Sequence, residues 1–319
     1  MANWGFLGAG SIATSSLAPA VHTADGPRLH AVAASDPARA RALGPARVYT
    51  AYDDLLADPE VDVVYVALHN SAHRPWVERA LTAGKHVLCE KPLGLTAEDV
   101  STMVRTARAA GRLLVEAAWN RWHPRTREME ALLARGALGA VHTVTARFDG
   151  LAPAPGNYRV AASLGGGALY DVGYYAVSAA LAAFGWQPPR VAGAQHRLWR
   201  RPGSADASTD AVLEFPGGGT ATIGCSLIGV LDESFTATGT AGELTLASPA
   251  YCAAVEPSTL TVDGESRHYP AVDPYRLMVE QVDAAIGGDP GAHLVPLEQS
   301  LLIATTLDAV RDHLARRPA

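Results

Sequence analysis

Short apolar runs alternate with amphipathic, helix-like segments along the first third of the chain. The apolar runs cover residues 4–7, 28–35, 61–68, 86–89 and 113–119. Continuous apolar strands are typical of a parallel sheet that is covered on both faces. Strands that alternate with helices predict βαβ units. We therefore expect an α/β fold with an N-terminal, doubly wound parallel sheet of the Rossmann type.

The pattern changes after residue 119. Residues 125–135 have a helical pattern, and most of the following segments are strand-like: 141–148, 191–199, 211–215, 220–227, 234–240 and 243–246. The turn at 216–219, Pro-Gly-Gly-Gly, predicts an antiparallel hairpin. We expect a C-terminal α+β domain with a large, open, mostly antiparallel sheet, and we place the boundary between residues 1–121 and 122–319. The last helix, 297–314, is expected to contribute Leu301, Leu302, Thr305, Leu307 and Val310 to the core.

Composition narrows the class of protein. The chain has 319 residues, 48% hydrophobic and 18% charged, with a formal net charge of −6. These values indicate a folded protein of about two domains and argue against a nucleic-acid-binding surface. No apolar run is long enough to span a membrane, and the N-terminus has no signal-peptide pattern. The three cysteines, Cys89, Cys225 and Cys252, are too widely spaced for a zinc site and are expected to be buried, reduced thiols of a cytoplasmic protein.

The turn after the first strand predicts a dinucleotide site. Gly8-x-Gly10-x-x-Ala13 lies between a strand and a helix, which is the context that this motif requires. Gly8 permits the tight turn, Gly10 leaves room for a pyrophosphate, and Ala13 permits close helix packing. The backbone N–H groups of Ser11 and Ile12, at the helix N-terminus, are expected to face the phosphates.

The end of the second strand bears on the choice of cofactor. Asp36 lies about 20 residues beyond the glycine motif, where a carboxylate can bind both ribose hydroxyls of NAD. Asp36-Pro37 is equally a helix start with Asp as the N-cap, and both roles are compatible. Arg39, one turn further, could bind the 2′-phosphate of NADP. We prefer NAD and keep NADP as the alternative.

Other strand ends supply further candidates. Ligands of doubly wound sheets bind at the carboxyl ends of the strands, so Leu68, Asn70, His73, Glu90 and Lys91 are candidate cofactor residues. Local packing is as good an interpretation of His73. The fifth strand ends in Glu90-Lys91-Pro92. An ammonium at this position can hold a substrate hydroxyl and assist loss of its proton, and a surface Glu–Lys pair is the alternative.

A second stretch with candidate catalytic residues begins at the three consecutive glycines 165–167. Asp171 and Tyr175 follow on a predicted helix that starts at about residue 170, and their spacing of four places them on one face. A carboxylate and a phenol on one face, aimed at Lys91, would form a proton-handling site. A shift of one residue would exchange Tyr175 for Tyr174, and both tyrosines could simply be packing residues. The preceding loop, 150–159, is a candidate substrate-facing lid.

Three separated motifs resemble the glucose–fructose oxidoreductase/inositol dehydrogenase (Gfo/Idh/MocA) family. These are the N-terminal glycine motif with 80–93 (Ala-Leu-Thr-Ala-Gly-Lys-His-Val-Leu-Cys-Glu-Lys-Pro-Leu), 121–124 (Arg-Trp-His-Pro) and 165–175 (Gly-Gly-Gly-Ala-Leu-Tyr-Asp-Val-Gly-Tyr-Tyr). The resemblance implies Tyr175 as acid/base, Lys91 beside it, and Asp171 as a substrate-binding or orienting group. Arg121 and Trp119 are further substrate-binding candidates, and Arg121 and His123 are candidates to line the substrate cleft. Ser178 stands where many inositol-type members have Asp, so the tyrosine-type members are the better match.

The resemblance also implies a function. It predicts an NAD(P)-dependent dehydrogenase that acts on a sugar, cyclitol or vicinal diol and requires no metal. It further implies a cytoplasmic homodimer or homotetramer that associates through the C-terminal sheet, with no nucleic-acid or membrane partner. Two alternatives remain within the fold: an NAD-using glycoside hydrolase or sugar–sugar oxidoreductase, and a non-catalytic nucleotide-sensing regulator. Retention of Lys91, Asp171 and Tyr175 together argues against the regulator.

Overall fold

The computed structural model describes residues 1–199, 203–251 and 256–316. Cys252, which we expected to be buried, lies outside the described residues. The chain divides into two compact units. Unit 1 comprises Met1–Gly94, Glu98–Trp122 and Asp273–Ser300, and unit 2 comprises Leu95–Ala97, His123–Val272 and Leu301–Ala319. The predicted boundary at residue 121 stays a prediction about domain roles, because the compact units are not continuous in sequence.

Unit 1 is built on a parallel sheet of six strands within the described residues. The strands are β1 (Asn3–Leu7), β2 (Arg28–Ala33), β3 (Arg47–Tyr49), β4 (Val63–Val66), β5 (His86–Glu90) and β6 (Leu114–Ala117), in the order β3-β2-β1-β4-β5-β6. This is the strand order of the dinucleotide-binding fold, so the predicted Rossmann sheet is confirmed. Trp4, Phe6 and Leu7 on β1 are fully buried, and each contributes about 1.5–3 kcal/mol of hydrophobic stabilisation.

The sheet of unit 2 has eight strands in the described part of the chain. They are β7 (Val141–Asp149), β8 (Arg190–Leu198), β9 (Asp206–Glu214), β10 (Thr220–Ser226), β11 (Asp232–Gly239), β12 (Gly242–Leu246), β13 (Ser258–Val262) and β14 (Glu265–Tyr269), in the order β14-β13-β12-β11-β7-β10-β9-β8. Strands β7 and β10 pair in parallel and the other neighbours are antiparallel. The predicted open sheet and the β9–β10 hairpin are therefore confirmed.

The α-helices are, in chain order, α1 (Ala18–Thr23), α2 (Pro37–Ala42), α3 (Tyr52–Ala57), α4 (His73–Thr82), α5 (Ala97–Ala110), α6 (Pro124–Ala134), α7 (Tyr174–Ala183), α8 (Pro274–Ile286) and α9 (Leu297–Ala315). Short π-helical segments, Ala13–Leu17 and Leu169–Gly173, run directly into α1 and α7. Across the described residues, no helix has the length and apolar character needed to cross a membrane.

Helix α7 packs against the sheet of unit 2 and is buried on all sides. A helix with apolar residues all round is expected in such a core position. On β9 the buried residues alternate with partly exposed ones, which directs Ala207, Ala211 and Leu213 inward. On α9, Leu307 and Val310 are buried as predicted, whereas Thr305 is exposed and Thr306 takes its place.

Candidate active site

The glycine turn of unit 1 has the geometry of a phosphate-binding loop. Gly8 has φ +98°, and a Cβ there would lie 2.6 Å from the carbonyl oxygen of Ala67, so only glycine fits. A Cβ at Gly10 would meet that same oxygen at 3.9 Å, which leaves the turn open on its outer side. The helix begins immediately, with Thr14 N donating to Gly10 O at 3.0 Å. The first-turn N–H groups can therefore serve an anion.

Asp36 and Arg39 lie next to this turn. The Asp36 carboxylate accepts hydrogen bonds from the N–H groups of Ala38 and Arg39, at 2.9 and 3.4 Å. The N-cap interpretation of Asp36 is thus confirmed, and Pro37 occupies the first helical position. The Arg39 guanidinium donates to the carbonyl of Ala9, inside the glycine motif. The Arg39 guanidinium thus contacts the glycine motif, and the Asp36 carboxylate caps the helix that bears Arg39.

His73 has a packing role in unit 1. Its ring is fully buried at the start of α4, with Nδ1 2.9 Å from Pro92 O and Nε2 3.1 Å from Leu68 O. Burial lowers the pKa of His73 to about 4, although both carbonyls favour the charged form. The neutral ring can donate to one of the two carbonyls. His73 thereby connects the end of β4 to the backbone that follows Lys91. Asn70, three residues before His73, is also buried.

Two buried carboxylates hold the backbone around Lys91. Glu90 Oε1 accepts from the Tyr65 hydroxyl at 2.6 Å, and its Oε2 accepts from Lys91 N at 3.3 Å. Burial, together with the Glu90 charge, raises the pKa of Tyr65 well above its usual range. On the other side, Leu93 N donates to Glu116 Oε1 at 2.7 Å. Sequence reasoning missed Glu116, although a single carboxylate inside the apolar run 113–119 was a usable signal.

The residues that follow β6 are enclosed. Trp119 stacks on Tyr275 with ring centroids 4.9 Å apart and an interplanar angle of 17°, and Arg121 is 4% exposed. Their predicted contact with a substrate stays a prediction. His123 caps α6, because its Nδ1 accepts from Arg125 N at 3.1 Å, and burial lowers its pKa to about 4. Its role in the structure is that of a buried helix cap.

In unit 2 an ion pair joins the catalytic candidate Asp171 to Arg159. Arg159 Nε lies 2.7 Å from Asp171 Oδ2, and the two side chains are 35% and 14% exposed. Burial alone would lower the pKa of the Arg159 guanidinium, but the Asp171 carboxylate with its hydrogen bond, together with electrostatic interactions with Tyr158 and Tyr175, outweighs burial and raises it. Tyr175 therefore lies within electrostatic reach of the pair. Arg159 was not among the predicted site residues, because its contact with Asp171 depends on how the 150–167 segment folds back.

The Tyr175 ring belongs to an aromatic cluster. Its centroid lies 5.4 Å from that of Phe148, 5.6 Å from Tyr174 and 6.1 Å from Tyr251. Burial raises the pKa of Tyr251 above its usual range. Tyr175 is 5% exposed. The predicted sharing of one helix face by Asp171 and Tyr175 agrees with the common interaction of both residues with Arg159.

A metal-ligand-like cluster lies at the opposite end of the unit 1 sheet. Among the described residues, ligand atoms of His30, Asp58 and Glu60 come within 4.8 Å of one another. However, Asp58 Oδ2 already accepts from His30, Arg47 and Tyr49. Burial would raise the pKa of Asp58, but its hydrogen bonds to the Glu60 N–H and these side chains, with the Arg47 charge, lower it to about 2. Since Arg47 supplies the positive charge, this cluster anchors the strands.

Comparison with known families matches both units. Residues 2–117 match the GFO_IDH_MocA model, described as an oxidoreductase family with an NAD-binding Rossmann fold, and residues 126–245 match the GFO/IDH/MocA C-terminal domain. Curated relatives include the trans-1,2-dihydrobenzene-1,2-diol dehydrogenase of Oryctolagus cuniculus, 34% identical over 88% of each chain. The D-xylose 1-dehydrogenase (NADP(+)) 2 of Haloferax volcanii is 35% identical over 96% of this chain and 95% of its own.

Solved structures of oxidoreductases are similar to this chain over nearly its whole length. KijD10, a 3-ketoreductase from Actinomadura kijaniata in complex with NADP and TDP-benzene, superposes with a TM-score of 0.88 at 27% identity over 98% of each chain. The aldose–aldose oxidoreductase of Caulobacter crescentus, complexed with glycerol, superposes with a TM-score of 0.87 at 27% identity, covering 98% of this chain and 97% of that chain.

Proposed function

The chain belongs to the GFO/IDH/MocA oxidoreductase family, and from this premise we propose that it is an NAD(P)-dependent dehydrogenase of vicinal diols or sugars. The observation that carries the substrate class is the likeness to a diol dehydrogenase and a xylose dehydrogenase over nearly the whole chain. The reaction oxidises a carbinol carbon to a carbonyl, or the reverse. The substrate loses a hydride from carbon and a proton from oxygen.

The glycine turn is the proposed cofactor site. The open backbone at Gly10 and the helix N-terminus that follows suit a pyrophosphate. When bound, the nicotinamide ring accepts or donates the hydride. Ser11 and Ile12 would contribute backbone N–H groups, and Leu68, Asn70 and Glu90 lie at or just beyond the carboxyl ends of β4 and β5, where a cofactor is expected.

The substrate proton is assigned to Lys91 and Tyr175. A phenolate at Tyr175 would take the hydroxyl proton, the Lys91 ammonium would hold the same oxygen, and Asp171 would orient the substrate. What supports this assignment is the fixed backbone on both sides of Lys91 and the ionic surroundings of Tyr175. Variants of KijD10 with an altered lysine and with a tyrosine changed to phenylalanine are among the solved structures of that protein.

The choice of cofactor depends on Asp36 and Arg39. The preference for NAD drawn from sequence rests on the Asp36 carboxylate alone. The structure adds the Arg39 guanidinium at the Ala9 carbonyl, where it can meet a 2′-phosphate, and KijD10 is described with NADP. We therefore infer that both cofactors are accepted. An Arg39→Ala variant is expected to raise the KM for NADP⁺ with little change for NAD⁺, whereas Asp36→Ser is expected to raise the KM for NAD⁺.

The first experiment follows reduced nicotinamide by absorbance while the protein oxidises a panel of trans-vicinal diols, aldoses and inositols. Lys91→Met and Tyr175→Phe are expected to lower kcat by roughly 100-fold or more, with cofactor affinity retained. Tyr174→Phe is the matched control, since it removes the adjacent phenol. Equal loss in both tyrosine variants, or none in either, would reject the assignment to Tyr175.

A second reaction within this fold is sugar–sugar oxidoreduction, which the likeness to the aldose–aldose oxidoreductase favours. It would oxidise one aldose and pass the hydride to another through the bound cofactor, without net release of reduced cofactor. Product analysis of a sugar mixture without added cofactor separates the two reactions.

Assembly and location remain proposals. Exposed apolar side chains on the sheet of unit 2, Leu198 on β8 and Val212 on β9, support association of two or more copies through this sheet. Light scattering after size-exclusion chromatography tests it. A cytoplasmic location is supported by the buried, free thiols of Cys89 and Cys225.

A further inference from the structure

The segment that precedes the helix of Asp171 and Tyr175 is fixed at Arg159. The Asn157 side chain accepts from Arg159 N at 3.0 Å, which caps a short 3₁₀ turn, Tyr158–Val160. On the opposite side of the residue, Gly167 N donates to Arg159 O at 2.8 Å. The backbone of Arg159 is therefore held from both sides, which an ordinary surface arginine does not require.

The glycine triplet explains why this approach is possible. A Cβ at Gly166 would lie 2.5 Å from the carbonyl oxygens of both Tyr158 and Arg159. Gly167 has φ +125°, and its Cβ would meet an Asp206 carboxylate oxygen at 2.0 Å. Both positions exclude every side chain. The triplet thus does more than turn the chain, because it brings the Arg159 backbone against the start of the catalytic helix.

The guanidinium of Arg159 is also held in place by contacts with two side chains. It lies 5.1 Å from the centroid of the Tyr158 ring, and its Nε is 2.7 Å from Asp171 Oδ2. Its electrostatic interactions include Tyr175 as well as Asp171. A half-buried ion pair loses less strength to solvent than an exposed one. Arg159 therefore directs its positive charge at Asp171, which lies one helical turn from Tyr175.

We propose that Arg159 is a positioning residue of the active site, which fixes the Asp171 carboxylate and favours the phenolate form of Tyr175. The proposal rests on the proposed function, since it assigns Arg159 to the same proton transfer. The fixed guanidinium supplies a charge from within unit 2 itself. Loss of this charge should make the phenol a weaker acid and leave Asp171 free to turn away from the substrate.

Other titratable and charged groups of unit 2 lie on or beside the elements that pack against the helix of Tyr175. On the same helix they are Asp171 and Tyr174, and on the preceding segment Tyr158. The neighbouring strands carry Asp149 with its partner Arg147 on β7, and Cys225 on β10. The ring of Tyr251 also lies close, and its backbone is bonded to two charged side chains, since Tyr251 N donates to Glu233 and Arg125 donates to the carbonyl of Ala250. Burial raises the pKa values of Cys225 and Tyr251, so these groups stay neutral over the working pH range. Arg147 pairs with Asp149 at 2.8 Å, as Arg159 pairs with Asp171 at 2.7 Å. The electrostatic partners of Arg147 are Asp149 and Asp210, whereas those of Arg159 include Tyr175, so removal of Arg159 should move the pH dependence.

The test compares Arg159→Met and Arg159→Lys with the full-length wild type. For Arg159→Met we expect kcat to fall by roughly 10- to 100-fold, the loss expected for one charge-assisted hydrogen bond. The pH of half-maximal oxidation should rise by about one unit. Cofactor affinity, measured by quenching of protein fluorescence, should stay within a factor of about two of wild type. Arg159→Lys keeps the charge and should recover most of kcat and the wild-type pH profile.

Arg190→Gln is the matched control, because Arg190 also pairs with a carboxylate, Glu214, on the sheet of the same unit. It should leave kcat and the pH profile unchanged. Arg159→Met with a wild-type pH profile and a proportionate loss in folded protein would overturn the proposal and make the residue purely structural. Failure of the proposed function has a different signature, since the wild type itself would then produce no reduced nicotinamide with any diol or sugar. Full turnover in Tyr175→Phe would reject the assignment to Tyr175 alone.

Discussion

Acidification is expected to destabilise this protein before its carboxylates protonate, and His73 provides a measurable share of that effect. The pKa of the fully buried His73 is lowered from 6.5 to about 4. Between these values the unfolded chain binds a proton that the folded chain does not, so stability rises with pH. The contribution of His73 to the free energy of unfolding is complete above pH 6.5 and is lost as the pH falls toward 4. Burial is the cause, since two carbonyls alone would favour the charged ring.

The size of the effect follows from linkage. A difference of 2.5 pKa units corresponds to about 3 kcal/mol when both states are protonated, and to about 2 kcal/mol near pH 5. His123, with a pKa lowered to about 4 by burial, has the same sign, and burial lowers the pKa of His86 as well. Asp58, held at about 2, contributes only at lower pH. The loss of stability between neutral pH and about pH 5 is therefore expected to come from the buried histidines.

Urea unfolding at pH 7.5 and pH 5 measures this directly. His73→Gln lowers stability at pH 7.5, because it removes a buried ring and its hydrogen bonds, yet its loss on acidification should be smaller than wild type by about 2 kcal/mol. His142→Gln is the control, since His142 is exposed on β7. A wild-type free energy of unfolding that is equal at both pH values, or an undiminished acid loss in His73→Gln, would refute the reasoning.

Three substitutions test other features. Gly8→Ala forces a Cβ against the Ala67 carbonyl at φ +98° and should cost at least about 1–2 kcal/mol in thermal unfolding, with weaker cofactor binding by fluorescence titration. Gly166→Ala displaces the Arg159 carbonyl, so steady-state kinetics should show kcat falling while cofactor affinity stays near wild type. Asp58→Asn removes a buried charge with several partners at the amino end of the sheet and should cost about 3 kcal/mol in urea unfolding without changing kcat or KM. Normal stability of Gly8→Ala, normal kcat of Gly166→Ala or impaired kinetics of Asp58→Asn would contradict these assignments.

Features that depend on residues close together in the chain were predictable before the fold was known. Continuous apolar runs specified the strands of unit 1, since a parallel strand is buried on both faces. The glycine motif specified the turn at Gly8, because φ +98° and a carbonyl 2.6 Å away exclude any side chain. The spacing of four between Asp171 and Tyr175 survived a change from α- to π-helical geometry, because both geometries return to the same face after about four residues.

Contacts between side chains that are distant in sequence required the folded chain. Arg159 reaches Asp171 across twelve residues because the glycine triplet lets the chain fold back on itself. His73 is buried between carbonyls that follow β4 and β5, and α8, far along the chain, packs with unit 1. Periodicity records which face of an element is apolar, but a contact between distant residues depends on loop paths and packing. The contacts of Arg159 with Asp171, and of His73 with the Leu68 and Pro92 carbonyls, were therefore visible only in the folded chain.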